Sequence, residues 1–177
     1  MATIVGTPLT PDELGRVWSV DEMEALAKER MIPPLWDYIA SWAGSGAGVR
    51  INRDQWDGWR IRPRILRDVS TVDTATVVLG RPLRTPVLLG ASALHRLSHP
   101  DGELATARAA TAAGSLMMLS TSSSTPIEAV APVAADRWMQ LYWMNDREVT
   151  RDIVARAEAA GFHAIALTVD APRLGWR

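Results

Sequence analysis

The chain has 177 residues, enough for one core-bearing domain, since domains run to roughly 100–200 residues, and its 47% hydrophobic and 22% charged residues are those of an ordinary globular protein. Lys+Arg 19 against Asp+Glu 20 leaves a net charge of −1, so no basic surplus draws the chain to a phosphate backbone or an anionic lipid surface, and no nucleic acid partner is expected. The absence of cysteine excludes disulfides, thiolate nucleophiles and Cys-ligated zinc or iron–sulfur centres, fits a reducing compartment, and means that redox work would need a bound cofactor.

The opening Met1-Ala2-Thr3-Ile4-Val5-Gly6-Thr7-Pro8 lacks the basic and apolar regions of a secretory signal, and the cytoplasm is the expected location. No apolar run approaches the ~20 residues needed to span a bilayer, so no membrane span is expected. Ser19-Val20-Asp21-Glu22 reads as a capping box, with Ser19 covering a free helical N–H and Glu22 reaching back, and predicts a helix through Arg30. Pro33-Pro34 is expected to break it. Leu35-Trp36-Asp37-Tyr38-Ile39-Ala40-Ser41-Trp42 then predicts a second short helix that ends in a glycine loop over 44–48. Trp18, Trp36, Trp42, Trp56 and Trp59 follow the apolar spacing of this segment and are expected to pack against the rest of the fold. Arg60, Arg62, Arg64 and Arg67 form a basic cluster with no assigned chemistry.

From Pro86 onward, short apolar strands alternate with capped helices, the pattern of consecutive βα units on a parallel sheet. The predicted strands are Val87-Leu88-Leu89, Leu116-Met117-Met118-Leu119, Trp138-Met139-Gln140-Leu141 and Ala164-Ile165-Ala166-Leu167. The helices between them open at Ser98-His99-Pro100-Asp101, at Thr125-Pro126-Ile127-Glu128 with Pro at the first helical position, and at Asn145-Asp146-Arg147-Glu148. Two close alike, at Ala112-Ala113-Gly114 and Ala159-Ala160-Gly161.

This order suits either a doubly wound sheet or half of a (β/α)8 barrel. A dinucleotide-binding sheet wants G-x-G-x-x-G after its first strand, whereas Leu89 is followed by Gly90-Ala91-Ser92-Ala93-Leu94-His95, which favours the barrel. Each strand ends in small or polar residues: Ala91-Ser92-Ala93, then Ser120 through Ser124, then Gln140 with Tyr142, then Thr168 with Asp170. Barrel sites are built on that rim. Of the serine run only Ser120 is given a role, the rest reading as a flexible polar loop toward Thr125. His95, His99 and His163 lack metal-ligand spacing, so no metal site is expected. His99 is expected in a helix's first turn and His163 at the entry to the fourth strand. His95, on the first rim loop, is a poor substitute for a base without a carboxylate partner.

Several long segments in a fixed order give these rim positions a family likeness. Trp36-Asp37-Tyr38-Ile39-Ala40-Ser41, Arg62-Pro63-Arg64-Ile65-Leu66-Arg67-Asp68-Val69, His99-Pro100-Asp101-Gly102-Glu103, Gln140-Leu141-Tyr142 and Ala164-Ile165-Ala166-Leu167-Thr168-Val169-Asp170-Ala171-Pro172-Arg173-Leu174-Gly175 resemble the N-terminal half of the FMN-dependent α-hydroxy acid oxidases and dehydrogenases. The resemblance implies an α/β fold: residues 86–177 as the first four βα units of a (β/α)8 TIM barrel, preceded over 1–85 by a helical N-terminal extension and lead-in. It implies FMN as cofactor and oxidation of an L-2-hydroxy acid to the 2-oxo acid.

Residue by residue, the resemblance sets the backbone of Ala91, Ser92 and Ala93 along the flavin, and Ser120, Gln140 and Thr168 on the polar edge of its ring. Tyr142 matches an auxiliary catalytic tyrosine facing both flavin and substrate, Tyr38 one that binds the substrate carboxylate, and Arg177 an arginine at the mouth of the site. The family often has a bulky aromatic where this chain has Ser122, which implies a differently shaped substrate pocket, and its usual proline is here Ala91. The family's histidine base, carboxylate-clamping arginine, flavin-side lysine and phosphate site match positions beyond Arg177. This chain alone is therefore expected to be inactive, to pair with a complementary C-terminal half-barrel chain, and to assemble further into a homo-oligomer, a tetramer in many family members. The alternative is a non-catalytic half-barrel scaffold, a pseudoenzyme subunit without flavin chemistry. A third reading keeps FMN and changes the substrate to an aryl-substituted or peptide-derived hydroxy acid.

Overall fold

The structure, a computed structural model, describes residues 8–170. Four helices lead in: α1 (Pro11–Leu14), α2 (Val20–Arg30), α3 (Pro33–Ala40) and α4 (Ala47–Asp57). Ser19 caps α2 as expected, its Oγ accepting from Glu22 N at 3.2 Å, but the Glu22 carboxylate takes Trp18 N–H at 2.7 Å, one residue earlier than a capping box requires. Pro33 and Pro34 open α3 instead of merely ending α2, because a first-turn proline lacks only an N–H that has no helical acceptor. The glycine loop is shorter than expected, since Gly48 lies inside α4. Packing of the tryptophans is corrected as well. Trp18 is 88% exposed and Trp42, Trp56 and Trp59 are also exposed, because these helices are short and α1, α2 and α4 carry no buried residue. Of these five tryptophans only Trp36 is half-buried, with Lys28 Nζ 5.8 Å from its ring centroid.

An exposed stretch over 58–75 leads to an antiparallel hairpin that the sequence pattern did not announce, β1 (Thr76–Val78) and β2 (Arg81–Leu83). Its turn residues Leu79 and Gly80 have φ of +46° and +78°. Positive φ at both positions matches strand twist and is usually signalled by Asn-Gly, which Leu79 disguises. Arg81 Nη2 pairs with Asp136 Oδ1 at 2.8 Å and ties the hairpin to the loop before the fourth strand.

The main sheet holds β3 (Met117–Leu119), β4 (Arg137–Tyr142) and β5 (Ile165–Thr168), all parallel and in sequence order. The first predicted strand contributes a single parallel bridge, Leu89 to Met117, made by Leu89 N to Leu116 O and Met118 N to Leu89 O, both 2.9 Å. Each neighbour is next in sequence and the order never reverses, as in a barrel wall and unlike a doubly wound sheet with its switch point.

Helices α5 (Gly102–Ala113), α6 (Ile127–Val130) and α7 (Arg147–Ala159) cover one face of this sheet. Side chains alternate along a strand. Met117, Leu119 and Met139 therefore meet Ala107 and Ala110 of α5, Ile127 and Val130 of α6 and Ala157 of α7 in one buried cluster. Burying each large side chain contributes about 1.5–3 kcal/mol. The alternate positions Ser120, Gln140 and Thr168 fall on the opposite face.

Asp146 caps α7, its Oδ1 accepting from Glu148 N at 2.9 Å. Gly114 and Gly161 end α5 and α7 with φ of +65° and +71°. The start of α5 differs from expectation. Ser98 closes a short 3-10 turn (His95–Leu97), and His99 precedes α5, its Nδ1 accepting from Asp101 N at 3.1 Å. Gly102, with φ +51° and Arg96 Cγ 2.6 Å from where a Cβ would sit, makes the sharp entry to α5. Pro126 takes the cap position of α6, not the first helical one.

Candidate functional site

The carboxyl ends of β3, β4 and β5 are joined by side chains. Ser120 Oγ donates to Gln140 Oε1 at 3.3 Å, and Gln140 Nε2 donates to Thr168 Oγ1 at 2.8 Å. Ser120 and Gln140 are buried, and Thr168 is half-buried. Three neutral groups on three adjacent strands thus form one hydrogen-bonded row. The amide orientation of Gln140 is set from the loop side, because Thr121 N also donates to Oε1 at 3.0 Å. Thr121 Oγ1 donates to Gln140 O at 2.6 Å and accepts from Tyr142 N at 3.3 Å. Sequence reasoning passed over Thr121, which sat in a run that reads as flexible. The run is instead an ordered loop, with Ser122 N on Ser120 Oγ at 3.1 Å and Ser123 Oγ on Thr125 O at 2.8 Å.

The first rim loop sits beside the second. Leu94 N donates to Ser122 O at 3.1 Å. Ser92 and Ala93, both exposed, line a cleft of about 610 Å3 together with His95, His99 and Thr106 on the α5 side and Ile39 of α3. That cleft does not include Ser120, Gln140 or Thr168, so the first loop and the polar row are neighbours without sharing a described cavity. Ala91 is half-buried just before it. Tyr142 ends β4 opposite Thr168 in register, and the residue is 42% exposed. Tyr38, on α3 next to Ile39, is 50% exposed. Arg177 lies outside the described residues.

The histidines are not arranged around the polar row. His95 Nδ1 lies 3.0 Å from Thr106 Oγ1 of α5, and His163 sits before β5 with Nδ1 3.8 Å from Asp136 Oδ1. Burial, then the charges of Arg81 and Arg137, hold the His163 pKa below its usual value against the pull of Asp136. Among the described residues no cluster of three or more His, Asp or Glu is placed to hold a metal ion.

Glu103, in the sequence no more than the last residue of the His99-Pro100-Asp101-Gly102-Glu103 segment, is fully buried. Its Oε2 accepts from Thr125 Oγ1 at 2.6 Å, and its Oε1 from Ser124 N at 2.8 Å and from His95 N at 3.2 Å. Ser124 Oγ adds contacts to both oxygens, at 2.9 and 2.8 Å. Burial alone would raise its pKa, but these hydrogen bonds outweigh burial and hold it at about 2. The hydroxyl of Thr125, expected to cap α6, is spent on Glu103.

A parallel wall of sequential βα units, with helices on one face and a polar row at the strand tips, is the N-terminal half of a (β/α)8 barrel. The family model described as FMN-dependent dehydrogenase matches residues 27–177, and the chain belongs to that family. It is 46% identical over 165 residues to glycolate oxidase 5 of Oryza sativa subsp. japonica, covering 93% of this chain and 45% of the relative. It is 44% identical over 162 residues to the glycolate oxidase of Spinacia oleracea, covering 91% and 44%. Among solved structures it superposes on mandelate oxidase with 3,3-difluoro-2-hydroxy-3-phenylpropionic acid, with a TM-score of 0.85 and 38% identity over 90% of this chain and 48% of that one. A mandelate oxidase mutant with a C4a-OH-FMN adduct gives a TM-score of 0.84. The chain spans about half the length of the relatives it matches. The family's cofactor is FMN. Among the described residues no helix is long and apolar enough to cross a membrane.

Proposed function

We propose that this chain forms one wall of the FMN site of an enzyme that oxidises an L-2-hydroxy acid to the 2-oxo acid. The observation that carries the reading is the row Ser120–Gln140–Thr168. It offers a flavin ring edge neutral donors and acceptors in a fixed order, which orients the ring and tunes its electronics without a permanent charge. The fit is chemical. Gln140 Oε1 is already occupied by Ser120 and Thr121, so its amide protons face along the row, and the Thr168 hydroxyl proton has no partner among the described residues. Bound FMN would supply the two-electron acceptor needed when a hydroxyl-bearing carbon becomes a carbonyl.

The small residues Ala91, Ser92 and Ala93 allow the first loop to lie against the ring. Tyr142 presents its hydroxyl to the substrate as an auxiliary catalytic group, Tyr38 binds the substrate carboxylate, and Arg177 contributes to substrate binding as the arginine of the mouth of the site. Residues 1–85 act as lid and lead-in, and residues 86–177 as the first four βα units. The base that takes the substrate proton is not one of the three histidines of this chain: those of the α5 side and the β5 entry are committed elsewhere. The reading assigns the base, the carboxylate clamp and the phosphate site to the other half of the family length. A complementary half-barrel covers β5, whose outer-face Ile165 and Leu167 are 41% and 48% exposed, and completed barrels associate into a homo-oligomer. Ser122, exposed on the rim, leaves room for an aryl-substituted acid.

A visible spectrum of the purified full-length protein tests this reading. Flavin bands that bleach anaerobically on adding a 2-hydroxy acid are the expected result. A colourless protein that takes up no FMN would overturn it and favour a scaffold role.

A further inference from the structure

We propose that Glu103 is the positioning residue that locks the first two rim loops together and so sets the shape of the flavin-facing wall; this rests on the FMN reading above. Its carboxylate touches neither the polar row nor the cleft, so its role is exerted through the loops it holds. From the N-terminal turn of α5 it reaches two segments that are distant in sequence. On one side it takes His95 N–H, at the start of the turn that follows Ala91, Ser92 and Ala93. On the other it takes Ser124 N–H, Ser124 Oγ–H and Thr125 Oγ–H, from the loop that begins at Ser120. Ser124 Oγ in turn accepts Arg96 N–H at 3.0 Å. Two successive backbone N–H groups of the first loop are thereby tied to the second, that of His95 through the Glu103 carboxylate and that of Arg96 on the Ser124 hydroxyl.

The backbone between the pins is strained. Leu94 has φ +55°, a left-handed conformation in which a Cβ crowds the carbonyl. Such a residue persists only where its surroundings over-determine it. Here Leu94 N is held by Ser122 O and His95 N by Glu103 Oε1, in the two peptide units that flank the Leu94 Cα. Ser122 N is fixed by Ser120 Oγ, the first member of the polar row. The connection therefore runs from Glu103 to Ser124 by a hydrogen bond of 2.8 Å, along the covalent loop to Ser122, and from there to Ser120 and Gln140 by hydrogen bonds of 3.1 and 3.3 Å. Buried in this way, a carboxylate accepts from several donors at once and has no need of a counter-cation.

The decisive pair of variants is Glu103→Gln, which keeps the shape and sets an amide N–H2 against donors, and Thr125→Val, which removes one hydroxyl without changing volume. Hydrogen exchange is measured amide by amide on the full-length protein, alongside FMN affinity by titration of the apoprotein. For Glu103→Gln, protection at 94–96 and 122–125 is expected to fall about 10-fold or more while β4 and α7 keep theirs, and FMN Kd to rise about 10-fold. Thr125→Val should shift both quantities in the same direction by less. Protection lost evenly through β3, β4, α5 and α7 would overturn the proposal in favour of a plain packing role, as would local loosening with unchanged FMN affinity. A parent protein that binds no FMN would overturn the cofactor reading as well, and the exchange map, recorded without flavin, tells that outcome apart.

Discussion

Gln140 has an acceptor and a donor end, and the loop after β3 dictates which faces where. With Ser120 Oγ and Thr121 N on Oε1, flipping the amide would set N–H2 against two donors. Replacing it in Gln140→Leu leaves those donors buried and unpaired, which costs about 1–3 kcal/mol; urea unfolding of the variant should show that loss, and the proposed flavin site should weaken with it. Glu103 makes the residue scale pH-sensitive. Its folded pKa of about 2 lies below the ordinary 4.5, so the folded state favours the ionised form. Its contribution is fully present above about pH 4.5 and is lost as the pH falls toward 2. Unfolding free energies measured from pH 5 downward should decline through that window, and Glu103→Gln should flatten the part of the slope that Glu103 supplies.

At the scale of elements, α5 joins the core to the site. Its Ala107 and Ala110 pack under β3, its first turn carries Glu103, and its last ends on Gly114 beneath the hairpin. Gly114 has φ +65°, and a Cβ there would lie 2.2 Å from Arg84 Nε, whose side chain hydrogen-bonds to Ala112 O. Gly114→Ala combines a left-handed alanine with a displaced arginine and should destabilise the protein by about 1 kcal/mol or more, read from the midpoint of a denaturant titration. The first barrel strand shows how short an element can be and still set a register. One bridge at Leu89, with Ser115 Oγ on Val87 O at 2.5 Å, is enough to bring the first rim loop beside the second.

Across the whole molecule, the helices cover one face of the wall and leave its last strand open. Among the described residues β5 has a neighbour on the β4 side only, and Ile165, Leu167 and Val169 are exposed. An unpaired apolar edge of this kind promotes association. The 177-residue chain by itself should therefore sediment as more than a monomer, and Leu167→Lys should move it toward the monomer by placing a charge on that edge. Unchanged sedimentation of the variant would place the contact elsewhere.

The amino-acid sequence by itself determined the order of βα units, the cap at Ser19, the opening of α7 within Asn145-Asp146-Arg147-Glu148, the closing glycines, the barrel in preference to a doubly wound sheet, and the family. These are local signals: a strand's apolar run, a capping side chain and a left-handed glycine act within a few residues. It also placed Ser120, Gln140 and Thr168 at strand ends. Only the tertiary structure decided that those three join in one row, that Thr121 orients Gln140, that Thr125 serves Glu103 and not α6, and that the lead-in tryptophans face outward. Each depends on partners far apart in the chain, since whether a hydroxyl caps a helix or satisfies a buried carboxylate turns on what the fold brings within 3 Å of it.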